Sequence, residues 1–161
     1  MNKVSANFEG YNVSVSIVSF KVGIKPPEKT TMSVSPSYLT KFLRLARDTD
    51  LGHNERPKAE FHRMAKKILK EVADRLGLQA SEYSIRSNVA GIAVSGEVTL
   101  HADWVYIQLG QSCLGPDFGF MYRSCKGQRD YTGGQNRWMR WDALLDLDRA
   151  CDAFRACRAA A

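Results

Sequence analysis

The sequence predicts an α+β fold, a mainly antiparallel sheet of about five strands with two central helices and a C-terminal helix packed on it. Three observations lead there. A stretch near the N-terminus and several within residues 82–124 alternate apolar and polar side chains, the period of a half-buried strand. Two segments between them repeat apolar residues every three or four positions, the period of an amphipathic helix. The order is strand, two helices, a run of strands and a helix. Without strand–helix–strand alternation, a parallel nucleotide-binding sheet is not expected.

The elements follow in chain order. In residues 11–22, YNVSVSIVSFKV, the set Tyr11, Val13, Val15 and Ile17 opposes Asn12, Ser14 and Ser16, with a bulge expected near Ile17–Val18 where the pattern shifts. The tandem Pro26 and Pro27 cannot join a central strand, so residues 23–33 read as a link. Ser35 as N-cap and Pro36 at the first helical position open a helix to about Arg47, burying Tyr38, Leu39, Phe42, Leu43 and part of Leu45–Ala46. A longer helix opens at Pro57 and ends at Gly77. Its apolar stripe is Phe61, Met64–Ala65, Ile68–Leu69, Val72 and Leu76; Lys58, Arg63, Lys66, Lys67 and Lys70 take the opposite face. Strands are expected at 84–89, 96–101, 104–109 and 118–124, with a tight connection at Ala102–Asp103 and with Phe118, Phe120 and Tyr122 sharing a side. From Asp142 a terminal helix carries Leu144, Leu147, Cys151 and Phe154 as its seam. Its acids come early and its arginines late, as the helix dipole favours.

At 161 residues the chain is expected to form one domain, 1–161, with a core that needs no staples. No window approaches the roughly 18 apolar residues of a membrane helix, and MNKVSANFEGYN lacks an apolar leader region. The expectation is a cytoplasmic protein with no membrane association. Its four cysteines would then be reduced thiols. Cys151 and Cys157, six apart on a helix, should point to different faces, while Cys113 and Cys125 could meet across a hairpin. No zinc spacing occurs, and His53, His62, Glu55 and Glu60 are too few for a metal site. The pair Gly133–Gly134 lies in no phosphate-loop pattern, so no cofactor or metal is expected.

A net charge of +6 and a pI near 9.3 favour acidic partners. The charge concentrates in RSCKGQRDYTGGQNRWMRW, residues 123–141. There the candidate binding residues are Arg123, Lys126, Arg129, Tyr131, Arg137, Trp138 and Arg140. Cations interleaved with aromatics on a Gly-rich loop suit single-stranded nucleic acid, with Arg129, Arg137 and Arg140 on phosphates and Tyr131 or Trp138 stacking a base. Arg, Trp and Tyr are equally the usual anchors of a protein interface. The plainer reading is a surface hairpin whose tryptophans cover the sheet end while its arginines pair with Asp130, Asp142 and Asp146. Lys66, Lys67 and Lys70 on the second helix are a further candidate binding face if they share a surface with the loop, and otherwise a solvated row. A thiol enzyme would start from Cys113 with His101 and Asp103, but no signature surrounds the cysteine, so no enzyme is expected.

The run Trp104–Trp141, with LGQSCLGPDFGFMYRSCKGQRDYTGGQN at its heart, resembles uncharacterised small proteins of phages and plasmid-like mobile elements of proteobacteria. The resemblance covers about a quarter of the chain and assigns no catalytic residue. It implies a role in replication, regulation or defence evasion, the last including anti-CRISPR proteins, which commonly occupy a nucleic-acid groove or a subunit surface. The expected function is a non-enzymatic binder that antagonises a host nucleic-acid-guided defence complex, its partner a host protein or ribonucleoprotein. The alternative is direct DNA or RNA binding by an accessory or regulatory protein.

Overall fold

The structure, a computed structural model, describes residues 4–8, 11–15, 33–112 and 115–158. The chain divides into two compact units, Met1–Thr30 and Thr31–Ala161. In the first, β1 (Val4–Phe8) pairs antiparallel with β2 (Tyr11–Val15), setting Val4 opposite Val15 and Phe8 opposite Tyr11. The alternation read from residue 11 is a strand as far as Val15. The bulge expected at Ile17–Val18 and the link through Pro26–Pro27 lie outside the described residues. β1 was not foreseen, because VSANF is short and holds two polar residues.

The second unit is an antiparallel sheet with three helices, as predicted. Strands β3 (Tyr83–Asn88), β4 (Glu97–Ala102), β5 (Val105–Gly110), β6 (Phe120–Ser124) and β7 (Arg137–Met139) lie side by side in chain order. Every connection is therefore local and every pair antiparallel. Helices α1 (Pro36–Ala46), α2 (Glu55–Arg75) and α3 (Leu147–Arg158) cover one face, with α2 against β3 and β4 and α3 against β5 and β6.

Alternation in each strand builds the core. Val98, Leu100 and Ala102 of β4, Val105, Ile107 and Leu109 of β5, and Phe120 and Tyr122 of β6 are buried toward the helices. They meet Phe42 of α1, Phe61, Met64, Ile68 and Leu69 of α2, and Phe154 of α3. Phe42 stacks on Phe61 with centroids 5.2 Å apart and takes Trp141 edge-on at 5.8 Å, a geometry that adds to their area burial.

The helix boundaries follow the chemistry of their caps. Ser35 Oγ accepts from the Tyr38 backbone N–H, and Pro36 sits in the first turn. At the end of α2, Gly77 takes φ +75°, Gly77 N–H bonds Asp74 O and Leu78 N–H bonds Ala73 O, a Schellman closure. Ion pairs tie elements together, among them Lys41–Glu60 at 2.7 Å between α1 and α2, Arg75–Asp148 at 2.6 Å between α2 and α3, and Arg47–Asp142 at 2.7 Å.

Four local expectations are corrected. The segment after Trp141 is not one helix: residues 141–145 form a 3-10 turn before α3, which lets Trp141 and Leu144 both turn inward. Cys151 and Cys157 are both buried, because the covered face of α3 is wide enough to include both, and both are free thiols. Phe118 sits in a 3-10 turn at Pro116–Phe118 and is exposed, off the side shared by Phe120 and Tyr122. Lys58, expected on the solvent face of α2, is only 5% exposed, and its Nζ donates to Gly91 O at 2.7 Å.

His62 on α2 is held from both ring nitrogens. Nδ1 lies 2.8 Å from Ser87 Oγ and Nε2 2.8 Å from Ser95 O. Burial holds its pKa below the ordinary 6.5, with Lys58 and Lys66 acting in the same direction against the Ser95 bond. The unfolded chain therefore binds this proton more readily than the folded one. The ring's contribution to stability is complete above about pH 6.5 and is lost progressively as the pH falls below it. Urea midpoints should drop between pH 7.5 and pH 5.5, and His62→Gln should flatten that drop. A slope unchanged by His62→Gln would remove His62 as its source.

Candidate functional site

Register assigns each strand residue to a face. On the side away from the helices lie Ser84, Arg86 and Asn88 of β3, Glu97, Thr99 and His101 of β4, Tyr106 and Gln108 of β5, Met121 and Arg123 of β6, and Trp138 of β7. Cross-strand pairing makes rows: Ser84, His101, Tyr106 and Arg123 form one; Arg86, Thr99, Gln108, Met121 and Trp138 form the next. This face carries two guanidiniums and two aromatic rings with a single carboxylate, Glu97.

The loop after β6 folds back over one end of it. Asp130 organises the loop: Oδ2 accepts from Lys126 N–H at 2.9 Å, and Oδ1 accepts from Gly133 N–H at 2.8 Å and from the Thr132 N–H and hydroxyl. The Lys126 backbone bond and its companions hold this carboxyl below the ordinary carboxylate range. Gly134 N–H donates to Ser124 O at 2.8 Å, closing the base of the loop. The result brings Tyr131 onto the sheet. Its ring meets His101 edge-on at 5.3 Å, its hydroxyl accepts from Arg86 Nη1 at 2.8 Å, and its carbonyl accepts from Arg123 Nη2 at 2.8 Å. Arg123 also lies over the Tyr106 ring at 4.8 Å. A second aromatic pair stands at the other edge, where Phe118 meets Trp138 edge-on at 4.9 Å; both rings are exposed.

Between Tyr131 and β3–β5 is a cavity of about 360 Å³ lined by Arg86, Asn88, Glu97, Thr99, His101, Tyr106 and Tyr131 among others. His101 is buried on its wall, 3% exposed, with Tyr106 edge-on at 5.1 Å. Burial first, then the Arg123 charge, holds its pKa below 6.5. Its Nε2 has no hydrogen-bond partner among the described residues.

The sequence-derived site is thus divided. Arg123, Tyr131 and Trp138 meet on the outward face, with Lys126 and Arg129 exposed on the adjoining loop. Arg137 is opposite Tyr122 on the helix-covered side, where its charge reaches Cys157, so strand alternation separates it from Trp138 next door. Arg140 is exposed and follows β7. Lys66 and Lys70 are exposed on α2 and Lys67 stands 4.9 Å over the Tyr38 ring, all with the sheet between them and the loop. The helix lysines therefore do not extend the same surface. Trp141, inside the same sequence window, is a core residue at 1% exposure. Asp142 pairs with Arg47, and the Asp130 oxygens are taken by backbone N–H groups and the Thr132 hydroxyl.

Arg86, Tyr106 and Thr99 were missed as site residues, and His101 was considered only beside Cys113. The signal was available in part: in residues 104–109, Tyr106 and Gln108 are the set opposite Val105, Ile107 and Leu109. Nothing local shows that β3 would lend Arg86 to the same face. The side chain of Cys113 lies outside the described residues. Of the free thiols, burial pushes Cys151 up to about 11, and it raises Cys125 and Cys157 as well, which leaves them as packing groups. Among the described residues no three His, Cys, Asp or Glu side chains converge to hold a metal, and no helix is long and apolar enough to cross a membrane. Compared with known proteins, the chain matches no family model, no curated protein and no solved structure.

Proposed function

We propose that the protein binds single-stranded nucleic acid across the outward face of its sheet. The observation that carries this is the convergence of Tyr106, Tyr131 and Trp138 with Arg86 and Arg123 on one face, where the loop adds Lys126 and Arg129 at its edge. Aromatic faces tolerate any base, and guanidiniums and ammoniums neutralise the backbone between them. Single strands are favoured over duplex because stacking needs unpaired bases. Fluorescence titration with labelled single- and double-stranded oligonucleotides at about 50 and 200 mM salt tests it. Single-strand affinity should be the higher and should fall steeply with salt, with quenching of Trp138. Absence of binding at the lower salt would reject the reading.

One observation favours a second reading, a protein partner. The β3–β4 loop carries Val89, Ile92 and Val94 exposed, Ile92 at 90%, and is pinned by the Lys58 bond to Gly91 O and by Ala93 N–H to Gly52 O. A fixed apolar tip suits a groove on another protein, as an antagonist of a host nucleic-acid-guided complex would require. Such a complex would respond weakly to salt, and Ile92→Asp would abolish it while sparing oligonucleotide binding.

A further inference from the structure

We infer that the cavity beneath Tyr131 receives one nucleoside unit of a single-stranded RNA, the base against Tyr106, Tyr131 and His101 and the ribose at the Glu97 end. This rests on the nucleic-acid reading of the outward face and adds to it a reader of sugar and base edge.

The chemistry of His101 sets one end. The Nε2 nitrogen of His101 is buried and has no hydrogen-bond partner among the described residues. Leaving a buried polar atom without a partner is costly. A group that carries both donors and acceptors relieves it in either ring tautomer. A nucleobase presents ring N–H or exocyclic amine donors at the rim of a flat ring, and two tyrosines flank His101 edge-on, at 5.1 and 5.3 Å. Arg86 holds the Tyr131 hydroxyl at 2.8 Å, which fixes the ring that the base packs against.

Glu97 sets the other end. It shares the outward face of β4 with His101 four residues away, roughly 13 Å along a strand, the length of a nucleoside rather than of a base alone. A carboxylate repels phosphate and accepts from hydroxyls, as acidic residues do at the ribose of bound nucleotides. Within a chain the 3′ oxygen is esterified, so the free hydroxyl is the 2′-OH, which DNA lacks. The volume of about 360 Å³ lies in the range of small-ligand pockets, and Arg86 on its wall, with Lys126 and Arg129 outside it, leaves the phosphates a cationic path.

The test compares the full chain binding matched eight-nucleotide RNA and DNA strands at low salt, with the His101 ring nitrogens followed by long-range ¹H–¹⁵N correlation. RNA should bind roughly tenfold tighter, Glu97→Ala should bring the two to parity by weakening RNA alone, and the Nε2 signal should move on binding. The spectrum is read on the unaltered protein, so the inference does not depend on a variant that folds. Binding of both strands with equal affinity and a still Nε2 signal would overturn the cavity assignment while the surface reading stands. No binding of either strand would reject both. If ribonucleoside 5′-monophosphates move Nε2 at the same concentrations as the RNA, the ligand is the free nucleotide and the assignment to a chain fails.

Discussion

Trp141→Ala is expected to lower the unfolding free energy by about 3–5 kcal/mol, the largest effect of any substitution in residues 123–141. The indole is 1% exposed and lies between Phe42 at 5.8 Å and Phe120 at 5.6 Å, so its removal leaves a cavity where α1, the sheet and the 3-10 turn meet. Such a cavity collapses poorly, because Phe42 is also stacked on Phe61 and Phe120 meets Phe154 edge-on. Trp141→Phe should cost far less, since the indole N–H has no hydrogen-bond partner among the described residues and its loss releases a buried donor. Chemical denaturation of the three proteins measures this. An alanine variant within about 1 kcal/mol of the parent would show that Trp141 is not the wedge the packing implies.

The second large effect is on binding. Tyr131→Ala and Trp138→Ala should each weaken oligonucleotide affinity by about 10- to 100-fold, the value of roughly 1–3 kcal/mol for a lost base stack. Neither should unfold the protein, because both rings are about half exposed, Tyr131 at 56% and Trp138 at 44%. Arg137→Ala should change affinity little. That contrast is the sharper part, since Arg137 and Trp138 are adjacent in sequence and any sequence-level site includes both. Loss of binding in Arg137→Ala equal to that in Trp138→Ala would mean that the nucleic acid wraps the β7 edge rather than lying on one face.

The residues explain which features were legible. The α2 stripe of Phe61, Met64, Ile68, Leu69 and Val72 spans about three turns, so its period fixes a helix with little help from context. Ser35–Pro36 and Gly77 mark helix ends by local chemistry, an N-cap acceptor and a φ of +75°. Strands β3–β6 announced themselves by alternation, and the three connections between them made an antiparallel sheet the economical topology. By itself, then, the sequence determined the α+β class, the order and type of α1, α2, α3 and β3–β6 and the existence of a basic-aromatic segment, inside which β7 went unread.

Which members of that segment act together was decided by tertiary structure. Trp138 and Trp141 are both tryptophans amid arginines, yet one joins Phe118 at the edge and the other fills the core, because the strand ends at Met139 and the 3-10 turn that follows reverses the facing. Lys66 and Lys70 are as basic as Arg123, but the sheet separates them from it. Arg86, 37 positions before Arg123 in the chain, reaches Tyr131 because β3 and β6 belong to one sheet and the loop folds back over it. Periodicity reports the face of a residue relative to its own element. Which elements bring their faces to the same side is set by pairing and by the return path of loops, and those contacts are formed between residues far apart in the chain.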